Sequence, residues 1–166
     1  MNVGEQPIMT VEAAGEVLRP FVSRQQLQVM LDLSRVGEER RFFQEKLLEF
    51  GNRVAIMPQT YEQDGKGDEA MVCLHYFKDG NDWYITEKDK NGGVTQAFGY
   101  TVLNGDTENA ELGYISIAEL TEHGVDCDLH FEPRSLREVK AEIEVRQRHA
   151  VQSTRQAKRA PQGMER

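Results

Sequence analysis

The sequence predicts an α+β fold: an antiparallel four- to five-strand meander with an N-terminal αα-hairpin and a C-terminal helix. Three observations predict it. Apolar residues recur at helical spacing over 23–54 and again over 135–143. After Pro58 the pattern changes to the two-residue alternation of strands. The alternating runs are separated by 78-KDGND-82, 88-KDKNGG-93 and 104-NGDTEN-109, all rich in residues that reverse the chain.

Taken in order, residues 1–20 show weak periodicity with scattered Gly and Pro, and are expected to be poorly ordered. Ser23-x-x-Gln26 is a capping box, which opens a helix with Leu27, Met30 and Leu31 on one face. That helix should stop near 34–37. A second helix is expected over about 38–51, with Phe43, Leu47, Phe50 and Val54 as its buried stripe. The short link between the two makes an αα-hairpin. The segment 62-EQDGKGDEA-70 reads as a flexible polar connector. In the strand 71-MVCLHYF-77, Val72, Leu74 and Tyr76 should share one face and Cys73, His75 and Phe77 the other. The strand 83-WYITE-87 closes a hairpin with it. Residues 94–103 and 110–115 supply the third and fourth strands, and Gly99 and Gly113 should leave gaps across which Trp83 can lie. Ser116-x-x-Glu119 caps a short helix, 117–123, that Gly124 ends. The candidate fifth strand is 128-DLHF-131. Ser135-x-x-Glu138 starts the last helix, with Leu136, Val139 and Ile143 inward. Beyond His149 the apolar pattern fades, so 151–166 reads as a disordered basic tail. The expected organisation is one domain, 21–150, between two irregular ends.

Charge is the most distinctive compositional feature. The net charge is −8, yet it is unevenly spread. From Val54 to Pro133 there is no arginine, and four lysines face 16 carboxylates, whereas the chain from Arg134 onward is basic. No run approaches the roughly 18 apolar residues of a membrane span. The N-terminus has neither the basic start nor the apolar core of a secretory signal. The expected location is therefore the cytoplasm, where Cys73 and Cys127 would be reduced thiols.

Several motifs are approached and not met. In 64-DGKGDE-69, Gly67 is followed by Asp68 where a phosphate loop needs Lys and Ser/Thr, and carboxylates would repel phosphate. The turn 87-EKDKNG-92 has the ligand spacing of a calcium loop at first, but Phe98 stands where the bidentate Glu belongs. Cys73, His75, Cys127 and His130 have poor spacing for zinc. There is no G-x-S-x-G nucleophile elbow. No catalytic residue, metal or cofactor is assigned. The aromatic residues Trp83, Tyr84, Phe98, Tyr100 and Tyr114 could stack bases, but the surrounding acidity opposes phosphate, and cross-strand packing explains them better. Glu87 and Glu111 are notable because each sits within an aromatic or apolar strand.

The segments 61-YEQDGKGDEAMVCLHYF-77, 82-DWYITEKD-89, 97-AFGYTVLNGD-106, 110-AELGYISIAEL-120 and 131-FEPRSLREVK-140 together resemble a family of small uncharacterised proteins carried by bacterial plasmids, integrative conjugative elements and prophages. The resemblance rests on Trp83, Tyr84 and Glu87, on Phe98-Gly99, and on Glu111 to Tyr114 leading into a Ser-started helix. It transfers no activity or site residue. It implies a setting among accessory genes of mobile elements, including antirestriction functions.

The leading expectation is a non-enzymatic accessory protein that presents an acidic surface of Glu87, Asp89, Asp106, Glu108 and Glu111. Its partner would be the basic protein surface of a host defence or DNA-processing protein, with DNA mimicry as the sharpest form of the idea. One alternative is a metal-dependent hydrolase or nuclease using Glu87 and Glu111 with His75 or His130. Another is a regulator or nucleic-acid adaptor acting through the basic tail. No membrane partner is expected.

Overall fold

The computed structural model describes residues 8–159. Three helices come first: α1 (Val11–Leu18), α2 (Arg24–Leu33) and α3 (Arg40–Ile56). Helix α1 corrects the expectation of an irregular N-terminus over the residues described. The Thr10 hydroxyl accepts the Ala13 N–H at 3.1 Å and caps it. Ala14 and Leu18 bury one side of it completely. Helix α3 also runs past Gly51, where it was expected to end. Gly51 is not a stop: a Cβ there would lie 2.8 Å from the Ala14 Cβ, so the glycine permits a close crossing of α1 over α3. The Ser23 hydroxyl caps α2 by accepting the Gln26 N–H at 3.2 Å, but the Gln26 side chain does not close the expected capping box: it donates to the Cys127 carbonyl at 2.7 Å and accepts the Cys127 N–H at 2.8 Å.

The main sheet is antiparallel and holds β2 (Leu74–Lys78), β3 (Asn81–Glu87), β4 (Ala97–Val102), β5 (Glu111–Ile115) and β6 (Asp126–Cys127). Their order across the sheet is β5-β4-β3-β2-β6. A separate ribbon pairs β1 (Met71–Val72) with β7 (Arg134–Ser135). The expected strand 71–77 is thus broken at Cys73, whose N–H turns to the Ile85 carbonyl at 2.8 Å. The break shifts the alternation. Leu74 and Tyr76 face the N-terminal helices, whereas Val72 joins the opposite core. The fifth strand lies at Asp126–Cys127, before the expected 128–131, because Asp128 folds that segment into a turn by accepting the His130 N–H at 2.9 Å.

Helix α4 (Ile117–Glu122) is capped by Ser116 and followed by Gly124 at φ +68°. Helix α5 (Leu136–Arg159) continues well beyond the expected fading point. Residues 151–159 are helical, which corrects that part of the expected tail; 160–166 lie outside the described residues.

The sheet therefore separates two cores. On one face Leu18, Met30, Leu47 and Phe50 of the helices pack with Leu74, Tyr76 and Ile85. On the other, Leu136, Val139 and Ile143 of α5 cover Val72, Tyr84, Tyr100 and Val102. Among the described residues no helix is long and apolar enough to cross a membrane.

Candidate functional site

The second face of the sheet has an irregularity that builds a site. Between β3 and β4 the register shifts: Ile85 pairs with Gly99, but Glu87 pairs with Phe98. Thr86 is the extra residue of a β-bulge. Strict alternation would turn Glu87 toward the N-terminal helices. The bulge turns it instead to the face shared by Phe98 and, one strand further, Tyr114. Gly99 makes the bulge possible. A Cβ on it would lie 2.0 Å from the Tyr84 carbonyl oxygen, so the space is filled by backbone and not by the Trp83 side chain expected there. A Cβ on Gly113 would meet nothing.

Glu87 is only 4% exposed and forms part of the wall of a cavity of about 380 Å³. The floor and sides come from Thr86, Glu87, Phe98 and Leu112, and the cover from the loop 60–70. That loop is not a free connector. The Gln63 side chain donates to the carbonyls of Met71 at 2.9 Å and Thr86 at 2.8 Å, and accepts the Met71 N–H at 2.7 Å. Its other end is tied to α5 by Lys140–Asp68 and Arg137–Glu69 pairs at 2.7 and 2.6 Å. At the mouth, the hydroxyls of Tyr61 and Tyr114 meet at 2.9 Å, and Phe98 meets Tyr114 edge-on at 5.8 Å. Tyr61 has φ +76°, a left-handed backbone that a bulky aromatic residue rarely adopts and that costs on the order of 1–3 kcal/mol.

The Glu87 carboxylate has little internal compensation. Oε1 accepts the Gln63 N–H at 3.0 Å. Oε2 has only the Thr86 hydroxyl at 3.4 Å, whose single proton is also within reach of the Phe98 carbonyl at 3.2 Å. The adjacent cation, Lys88, is directed elsewhere: its buried ammonium donates to the Val54 and Ala55 carbonyls at the end of α3, at 2.8 and 3.2 Å. Lys90 lies over the Tyr61 ring, 4.9 Å from its centroid. None of the described cations forms an ion pair with Glu87. The hydroxyl contact with Tyr61 holds Tyr114 above the ordinary tyrosine range, and the negative charges of Asp89 and Glu87 push in the same direction. The mouth is therefore an aromatic-rimmed opening, with Lys90 lying over Tyr61 on one side.

The five carboxylates expected to form one acidic surface do not do so. Glu87 is buried in the pocket. Asp89 holds its own turn by accepting from the Thr95 hydroxyl and the Gln96 N–H. Asp106 folds the β4–β5 loop, and bonds from the Asn109 side chain and backbone and the Glu108 N–H hold its carboxyl below the usual range. Glu108 and Glu111 are exposed. Glu111 pairs with Thr101 and so projects to the opposite face from Glu87. The carboxylate pair of the metal-enzyme alternative is thereby split by the sheet. Among the described residues no three His, Cys, Asp or Glu are grouped to hold a metal ion.

His75 and His130 lie at a different cleft, beside α5. His75 bridges two carboxylates, with Nδ1 2.9 Å from Asp128 and Nε2 2.7 Å from Asp82. The thiols are core groups. Burial pushes Cys73 up to about 11 and Cys127 up to about 12.

Sequence reasoning missed Thr60, Tyr61 and Gln63 because Gly65 and Gly67 made their loop read as a connector. The signal available was Tyr61 itself, an aromatic residue heading a polar stretch. No family model, no curated protein and no solved structure matches the chain.

Proposed function

We propose that this chain is a non-enzymatic binding protein whose pocket at the β3 bulge receives a lysine or arginine side chain from a basic partner. One observation carries the reading: Glu87 is a buried carboxylate, turned into an aromatic-rimmed cavity by a bulge, with no described cation paired to it. A charge out of water is stable only when paired, and an ammonium or guanidinium entering between Tyr61 and Phe98 would pair it. Phe98 at the rim adds a favourable interaction of about 0.5–2 kcal/mol with an entering cation, while the Tyr61 ring already carries Lys90, 4.9 Å from its centroid. Part of the set that carries the mobile-element resemblance lies here: Glu87, Phe98 and Leu112 line the cavity, Tyr114 bonds the Tyr61 hydroxyl beside it and Gly99 permits the bulge, whereas Trp83, Tyr84 and Glu111 lie elsewhere.

That resemblance supports a mobile-element setting, with a host defence or DNA-processing protein as the basic partner. The refinement over an acidic surface is that one recessed carboxylate anchors the contact, while exposed carboxylates such as Glu108 and Glu111 contribute long-range attraction that salt screens. The test is capture from a natural host with wild type and Glu87→Gln as paired baits. The reading expects a basic protein retained by wild type, released by raised salt and lost with Glu87→Gln. Equal retention by both baits overturns it.

A further inference from the structure

We infer that the cleft beside helix α5, nearer the β2 edge of the same sheet face, is a second binding site: it takes an oxyanion group, carboxylate or phosphate, carried on an apolar moiety. The cleft has a volume of about 560 Å³. Two hydrogen-bond donors converge on it. Arg146 donates from Nη2 to the Tyr84 hydroxyl at 3.1 Å. A guanidinium has five N–H groups, so four remain for other acceptors. Because the Tyr84 oxygen accepts from Arg146, its own proton is left for a different acceptor, and none is found for it among the described residues. Tyr84 is 2% exposed, so that donor is buried and costly to leave unused.

The surroundings hold these donors in place and leave them available. The Tyr84 ring stacks on His75 at 4.5 Å and 6°, and His75 is itself clamped between Asp82 and Asp128. The other arginine of the cleft is already engaged. Arg134 pairs with Glu142 at 2.7 Å, and the two aspartates face the His75 ring. Arg146 has no ion-pair partner among the described residues. Burial keeps Tyr84 above the ordinary tyrosine range, with Asp82 acting in the same direction, so its hydroxyl stays a donor near neutrality. Phe131 and the half-exposed Val145 supply an apolar flank. Forked N–H donors with a hydroxyl beside them match a planar carboxylate or a phosphate, and the flank matches an aryl or alkyl group next to it.

The test follows the Arg146 side-chain N–H signals by NMR while inorganic phosphate, phenyl phosphate or phenylacetate is added to the full chain. A saturable shift at Arg146 and in the residues around it is expected with at least one phenyl probe, at lower concentration than with inorganic phosphate. Whether phenyl phosphate or phenylacetate binds more tightly assigns the anion. Arg146→Gln, a change at an exposed position, should weaken binding at least about tenfold, and Tyr84→Phe, which retains the stacked ring, should weaken it severalfold. Glu87→Gln should leave it unchanged, which separates this site from the cation pocket. Absence of a saturable shift with every probe, or equal binding by Arg146→Gln, overturns the inference.

Discussion

Replacing Glu87 by Gln tests whether the pocket carboxylate is a structural group or one awaiting a partner. The substitution keeps the shape and keeps an acceptor for the Gln63 N–H, now 3.0 Å from Oε1. A bond to a carboxylate contributes about 1.5–3 kcal/mol and one to a neutral amide about 0.5–1.5, so roughly 1 kcal/mol is lost. Against that stands the desolvation of an unpaired carboxylate at 4% exposure. For a buried ion this amounts to several kcal/mol after relaxation, and the amide avoids most of it. The expected outcome is a variant as stable as wild type, or more stable by about 1–2 kcal/mol. Glu87→Ala is different: it leaves the Gln63 N–H without its acceptor and should cost about 1–3 kcal/mol. Urea unfolding near neutral pH, with unchanged dependence on denaturant, measures both. A loss of more than about 2 kcal/mol in Glu87→Gln would refute the reasoning, because the charge would then be compensated inside the fold.

Three further outcomes are expected. Gly99→Ala places a methyl 2.0 Å from the Tyr84 carbonyl oxygen, so the bulge must shift; destabilisation above about 3 kcal/mol is expected by urea unfolding, and less than about 1 kcal/mol would contradict the geometry. Burial favours the neutral thiols of Cys73 and Cys127 in the folded state. Their stabilising contribution is complete below the ordinary thiol value of 9.0 and is lost as pH rises through about 11 and about 12. Unfolding curves should therefore shift to lower urea over that range, less so in a Cys73→Ala, Cys127→Ala variant compared with itself, and iodoacetamide at pH 8 should modify the native chain far more slowly than the unfolded one. Removing residues 151–166 should change stability by no more than about 0.5 kcal/mol, since 151–159 are exposed; unchanged DNA and RNA retention in the same variant would remove the basic-tail reading.

What could be read from the sequence was local. The Ser23, Ser116 and Ser135 caps each place a hydroxyl 3.2 Å from an N–H three residues on, and each marks the start or first turn of a helix as expected. The turns at 78–82 and 104–109 also follow from residues suited to positive φ, such as Asp79, Gly80, Asn104 and Gly105. What escaped depends on tertiary contact. Gly51 reads as a helix stop, yet it is where α1 crosses α3. Gly15 interrupts the α1 stripe, so its burial shows only once α3 is beside it. The Cys73 break and the Thr86 bulge each reverse the facing of every residue beyond them, and alternation alone carries no sign of either. Glu87, like Glu111, stands out in the sequence as a carboxylate within an aromatic or apolar strand, but the bulge places it in a pocket and not on a surface with Asp89, Asp106, Glu108 and Glu111. The loop 60–70 was unreadable for a similar reason: Gln63 is held by backbone groups of Met71 and Thr86, whose position only the fold supplies.

The central claim is that Glu87 receives a basic side chain, and a titration with a minimal ligand tests it most directly. Backbone amide signals of the ¹⁵N-labelled chain would be followed while Nα-acetyl-lysine methylamide, and in parallel the arginine equivalent, is added. The account predicts saturable shifts centred on Gln63, Thr86, Glu87 and Phe98 with at least one of the two. It also predicts binding at least about tenfold weaker in Glu87→Gln, with that variant fully folded. Neither ligand shifting these signals, or equal shifts in wild type and Glu87→Gln, would contradict it.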